Sequence, residues 1–227
     1  MTEYFQYYKE NLYPLQDRIL DVLKKCGTPF YLTGGTALSR GYYNHRFSDD
    51  LDFFINSDNN FYSYLKDIFK AIEEAGLQLR IDTDFNSVDF SRTAISDSEF
   101  SIKVDFVNDI PIHYGDIVET PVFVQTDSVH NILTNKYTAL YRLAPKDVVD
   151  IREICLHEHF SWDRIIQEAD KKEAGINLSE VCDIMTSFDD KSIMGIKWIN
   201  ALDLKNFRSD VEQIARDMLL KRENSLI

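Results

Sequence analysis

The sequence predicts an α+β chain: a mixed β-sheet domain with flanking helices over residues 1–127, followed by a C-terminal helical lobe over residues 128–227. Three observations carry that expectation. Residues 31–55 run as apolar strand, double glycine, short amphipathic stretch, loop and apolar strand. Between residues 77 and 107, three segments alternate apolar and polar side chains across polar turns, as half-buried strands do. From Ser128 almost to the end the apolar residues recur at helical spacing instead. A sheet segregated from a run of helices is the α+β pattern.

Taken in order, Tyr4, Tyr8, Leu12, Leu15, Ile19 and Val22 mark one helix face, so residues 4–25 predict a helix that Pro14 kinks or divides. Gly27-Thr28-Pro29 ends it and leads into a strand at Phe30-Tyr31-Leu32. Gly34-Gly35 then turns the chain into a short helix over 36–43. The strand ending at Ile55 is followed by Asn56–Asn60, a turn with a ready cap, and by a helix that stops at Gly76. Leu77–Asp82, Val88–Ile95 and Phe100–Val107 predict strands, and His113-Tyr114 and Val122–Thr126 predict short extended pieces. Helices follow at 128–142, 146–158, 162–173, 178–187 and 206–222, with the last few residues frayed. Phe61, Tyr62, Tyr64 and Phe69 predict a core-facing helix side, and Trp162 and Trp198 anchor the helical lobe.

Composition narrows the class. Hydrophobic residues at 44% and charged residues at 28% are ordinary for a soluble globular protein. The apolar runs are too short for a membrane span, and the N-terminus does not read as a signal peptide. Cys26, Cys155 and Cys182 are odd in number and widely spaced, so no disulfide framework is implied and a cytoplasmic setting is expected. The net charge of −13, spread over both halves, argues against a broad DNA-binding surface. A nucleic-acid substrate would have to meet a local patch, and a basic protein partner is an equally natural reading.

Chemistry enters at Asp50 and Asp52. One residue apart on a strand, they point to the same face, about 6–7 Å apart. If both are ionised, they repel by about 2–3 kcal/mol at an effective dielectric of about 20. Packing does not explain such a pair beside Phe53-Phe54-Ile55; a divalent cation between them does. The glycine turn adds a close backbone approach and a helix start whose N–H groups suit an anion. Together these imply a substrate carrying a polyphosphate and Mg²⁺. In Ser101–Val107, Lys103, Asp105 and Val107 share one face, which makes Asp105 the candidate third carboxylate. The alternative is a surface aspartate on an edge strand, paired with Lys103.

A second informative stretch is 135–151. Ala139, Leu140 and Leu143 predict an apolar stripe, with Lys136 and Arg142 pointing out of it and Lys136 suited to a triphosphate. Asp147 is explained as a first-turn acid behind Pro145. Lys146 and Asp150 read equally well as a solvated face. Tyr42-Tyr43 suits either a base pocket or the core, and Cys155-x-His157-x-His159 does not have the spacing of a zinc site on a helix.

These residues resemble the nucleotidyltransferase superfamily, whose signature is a Gly-Gly or Gly-Ser turn, a short helix, Asp-x-Asp and a later acidic residue. Three blocks more closely resemble the abortive-infection toxins of the AbiEii/AbiGii type. They are Gly34-Gly35-Thr36-Ala37-Leu38, the run from His45 to Phe53, and Lys136-x-x-Ala139-Leu140 with Arg142, Lys146-Asp147 and Asp150. The likeness covers residues 28–155. One residue separates Leu140 from Arg142 where two are expected, so Arg142 takes no role from it.

The resemblance implies a nucleotidyltransferase-like sheet with the helical lobe closing a nucleotide cleft. It also implies an enzyme using two Mg²⁺ ions to move NMP from an NTP to an acceptor hydroxyl, with pyrophosphate leaving. In related toxins the acceptor can be a tRNA end, and a separately encoded antitoxin opposes the toxin. By matching position, Asp50 and Asp52 hold metal, joined by Asp105, which can also act as base. Gly34, Gly35 and Thr36 face the phosphates, Ser48 touches the β- or γ-phosphate, and Arg46 braces the loop or faces substrate. Lys136 contacts the nucleotide, and the later acid falls on Asp147 or Asp150. Two other readings stay open: a small-molecule nucleotidyltransferase of the aminoglycoside-modifying kind, and a catalytically silent member that binds nucleotide or partner.

Overall fold

The computed structural model describes residues 3–227 and divides into two compact units, Met1–Ser128 and Val129–Ile227. The first opens with α1 (Glu3–Tyr7), a π-helical stretch Tyr8–Leu12, and α2 (Tyr13–Cys26). Pro14 lies in the first turn of α2, where its missing N–H costs no helical hydrogen bond, so it divides the helical path and does not break it. Tyr8, Leu12, Leu15, Ile19 and Leu23 are buried, whereas Tyr4 is exposed. Gly27, at φ +62°, ends the helix in the left-handed conformation that L residues avoid.

The sheet comprises β1 (Tyr31–Thr33), β2 (Leu51–Asn56), β3 (Gln78–Ser87), β4 (Phe90–Ser96) and β5 (Ser101–Asp109). Its spatial order is β1-β2-β5-β4-β3. β2 and β5 are parallel, and the other neighbours antiparallel. Between β1 and β2 the chain forms α3 (Gly34–Thr36), which continues as a π-helical turn Ala37–Tyr43; the helix thus starts at the glycines themselves. Between β2 and β3 lies α4 (Phe61–Glu74), followed by Gly76 at φ +73°.

Alternation decides the faces. Leu51, Phe53 and Ile55 of β2, and Ile102, Val104 and Phe106 of β5, are all buried. The Phe106 ring lies 5.6 Å from Phe53 and 5.3 Å from Phe30. Asp52 and Asp105 belong to the other face. One alternative and one expectation are corrected here. β5 is the middle strand, so Asp105 is no edge-strand residue. Tyr62 is exposed, its hydroxyl donating to the Ser87 carbonyl, because position 62 falls on the outer side of α4.

The second unit is helical: α5 (Val129–Ala139) with a 3-10 turn Leu140–Arg142, α6 (Pro145–Cys155), α7 (Trp162–Lys172), α8 (Leu178–Ser187), α9 (Asp190–Met194) and α10 (Leu204–Leu219). The short α9 was not anticipated; the Asp189 side chain caps it by accepting from the Ser192 N–H. Trp162 and Phe207 are fully buried in this unit. Leu143 leaves the expected apolar stripe: it is exposed, at φ +55°, in the turn that separates α5 from α6. The chain end is not frayed at 224–225. Asn224 donates to the carbonyls of Cys155 and Glu158, and the Ser225 hydroxyl to Asp217. No described helix is long and apolar enough to cross a membrane.

Candidate active site

The polar face of the first unit gathers five charged side chains. Parallel pairing sets Asp52 opposite Asp105, and antiparallel pairing sets Arg92 opposite Asp105 on the other side. Asp50 lies immediately before β2, two residues from Asp52 and so on the same face. The Lys103 Nζ is 2.8 Å from Asp50 Oδ2 and 3.6 Å from Asp105 Oδ2. Burial alone would lower the Lys103 pKa. Its hydrogen bond to Asp50 and the fields of Asp50, Asp105 and Asp52 outweigh burial and raise it. Arg92 grips Asp105 in a fork, Nε to Oδ1 at 2.8 Å and Nη2 to Oδ2 at 2.9 Å, and that bond raises its own pKa.

The glycine turn is pressed against this face. Gly34 sits at φ +69°, and a Cβ there would stand 2.6 Å from Asp52 Oδ2. A Cβ on Gly35 would collide with the Arg46 guanidinium and stand 3.0 Å from Ser48 Oγ. Close approach therefore favours glycine at both positions, and the backbone angle requires it at Gly34. The Thr36 hydroxyl donates to the Asp50 carbonyl, and Ser39 donates to the Arg46 carbonyl, so the helix start is tied directly to the carboxylate strand. Gln16 holds the same loop from below, donating to the carbonyls of Ser48 and Asp49 at 3.1 and 3.2 Å. The Tyr8 hydroxyl donates to the Asp49 side chain, and Arg46 and Ser48 are buried.

The residues singled out in the second unit form a separate cluster. Lys136, almost fully buried, donates to Asp147 Oδ1 at 2.8 Å and lies 2.7 Å from Asp150 Oδ2. Arg142 adds two bonds of 2.6 Å to Asp147. Burial would raise the Asp147 pKa, but the charges of Lys136 and Arg142 and their hydrogen bonds lower it. Asp150 is fully buried, which corrects the solvated-face reading; Lys146 is exposed. Asp150 turns inward because it sits one helical turn after Asp147 and shares its face.

Arg92 escaped the sequence reading, although its signal was there. The tight Asp97–Phe100 turn sets Ser96 opposite Ser101, and counting back four residues on each strand sets Arg92 opposite Asp105. Tyr42 is committed by its hydroxyl to the Asp127 carbonyl. The pKa values of the three thiols, Cys26, Cys155 and Cys182, are raised chiefly by burial, which keeps them protonated near neutrality. Cys155 is the last residue of α6, so the helix that would align it with His159 has ended. Among the described residues no three His, Cys, Asp or Glu side chains gather as a metal cage.

The profile of the family described as nucleotidyl transferase AbiEii toxin, type IV toxin–antitoxin system, matches residues 18–222. The chain belongs to this family. The AbiEii match extends well past residue 155, so the helical tail belongs to the family pattern as well as residues 28–155. Among curated proteins none matches. Of solved structures, JHP933 from Helicobacter pylori is 18% identical with a TM-score of 0.61, over 97% of this chain and 94% of the other. A putative nucleotidyltransferase from H. pylori is 18% identical with a TM-score of 0.62, over 97% of each chain. MenT4, a nucleotidyltransferase toxin from Mycobacterium tuberculosis H37Rv, is 12% identical with a TM-score of 0.59, over 92% and 82%. These likenesses establish a shared fold for the AbiEii chain.

Proposed function

We propose that this toxin-family nucleotidyltransferase moves NMP from an NTP to an acceptor hydroxyl, that the acceptor is the end of a tRNA, and that a cognate antitoxin opposes it. The observation that carries the proposal is the placing of Asp52 against Gly34 and opposite Asp105, with Lys103 linking Asp105 to Asp50. Carboxylate oxygens are the hard donors that Mg²⁺ takes, and Mg²⁺ is ordinarily bound through one or two carboxylates with substrate phosphates completing its shell. The Lys103 ammonium already seated against two of these carboxylates marks the place as one for a cation.

Asp50 and Asp52 would hold Mg²⁺, which when bound supplies charge stabilisation at the attacking and leaving oxygens. The amides of Gly35 and Thr36 at the helix start orient the triphosphate. Arg46 and Ser48, packed behind Gly35, fix that turn and add a cation and a hydroxyl to the phosphate side. The acceptor hydroxyl attacks the α-phosphorus in line, its proton passing to solvent, and pyrophosphate leaves. Asp105 joins Asp50 and Asp52 on the metal side and is oriented there by the Arg92 fork. Lys136 carries no step here: Asp147 and Asp150 hold it within the second unit.

The experiment is incubation with each α-labelled NTP, Mg²⁺ and total RNA. Label on a tRNA band is expected with at least one NTP. Asp52→Asn should lose on the order of 10²-fold or more of that transfer while its thermal melt stays that of the wild type. Full activity in that variant would remove the metal assignment.

A further inference from the structure

Two cations share the Asp105 carboxylate, and they are held in different ways. Arg92 meets both oxygens in a planar fork, with its guanidinium 4.7 Å from the Phe85 ring centroid and 5.5 Å from that of Phe90. The fork and the rings define one orientation. Lys103 is a point charge on a flexible stem, with 39% of its side chain exposed, and its ammonium spans Asp50 and Asp105. An ammonium has no fixed fork to lose on moving and suits any cluster of anionic oxygens. Its place between Asp50 and Asp105 is also where a divalent cation would take its oxygens.

Resting on the function proposed above, we propose that Lys103 is a built-in competitor for the metal site. Its ammonium holds Asp50 and Asp105 together and yields them to a divalent cation that arrives with a triphosphate, whose oxygens then receive the ammonium. Metal and nucleotide consequently bind as a coupled pair, each tightening the other by the same factor. Metal alone must displace Lys103 into water, whereas metal with triphosphate gives the ammonium a new anionic partner. Lys103 is thus a positioning residue that sets the order of assembly.

The test is Mn²⁺ binding, read from the EPR signal of free Mn²⁺, with and without a non-hydrolysable NTP analogue. Wild type, Lys103→Met, Lys103→Gln, Lys103→Arg and Asp50→Asn are compared, each checked for folding by circular dichroism. Without nucleotide, Lys103→Met and Lys103→Gln should bind Mn²⁺ about fivefold or more tighter than wild type, the scale of one like charge removed at a half-exposed site. Lys103→Arg, which keeps the charge, should stay near wild type. The analogue should tighten Mn²⁺ binding by a larger factor in wild type than in the two neutral variants. If the neutral variants bind Mn²⁺ no tighter than wild type while Asp50→Asn weakens binding, the competitor role falls and the proposed function stands. If no protein binds Mn²⁺ under either condition, both fall.

Discussion

The two units each hold a cluster of opposite charges, built from the same residue types and left in different states. In the helical unit Lys136 and Arg142 meet Asp147 and Asp150, two cations against two carboxylates. On the sheet face Lys103 pairs with Asp50 and Asp105, and Arg92 forks Asp105. Burial explains the difference. Asp147 and Asp150 are wholly buried, where an unmatched charge is costly, so the cluster closes on itself. The sheet cluster is open to water at Lys103, whose side chain is 39% exposed, so its ammonium leaves Asp50 at less cost. A cluster buried at both its acids is a brace; one open at its lysine can exchange its cation.

That contrast can be broken, most strongly at Lys136. Lys136→Met leaves Asp147 and Asp150 buried without their ammonium and should cost about 3–5 kcal/mol in urea unfolding. If stability holds and only NTP-dependent transfer is lost, the helical cluster is a site and not a brace. Gly34→Ala should cost about 1–2 kcal/mol for its left-handed backbone, and transfer should also fall because the new methyl displaces the Asp52 carboxylate. Arg92→Lys keeps the charge but loses the fork on Asp105; about a tenfold loss of transfer is expected with a change in stability under about 1 kcal/mol.

The smallest effect is in acid. The folded Asp147 carboxyl titrates below its ordinary value of 3.8. Above that value its ionised form stabilises the fold, and the contribution is lost as pH falls through the folded pKa. Asp147→Asn should therefore flatten the decline of stability in that acid window, as followed by circular dichroism melts. An unchanged acid profile would mean that Lys136 and Arg142 hold Asp147 no more tightly than water does.

Legibility followed locality. The elements with a clear period, α2, α4 and the two strand faces of Leu51, Phe53 and Ile55 and of Ile102, Val104 and Phe106, could be read because every turn of the pattern repeats the same burial choice. Strand ends moved by one to five residues, most for β3, which runs on to Ser87 because its pairing with β4 continues past the alternating stretch. α9 carries too few residues for a period to show. The buried state of Asp150 was hidden because a carboxylate's partner lies eleven or more residues away and a helix face shows only that it is polar.

By itself the sequence determined the α+β division, the glycine turn and the spacing that sends Asp50 and Asp52 to one face, since each depends on residues a few places apart. Only the tertiary structure decided that β5 lies beside β2 in the register that sets Asp105 against Asp52, and that Arg92 and Lys103 share its carboxylate. Strand neighbours are chosen by the packing of whole faces, and a charge learns its partners only when that packing is complete.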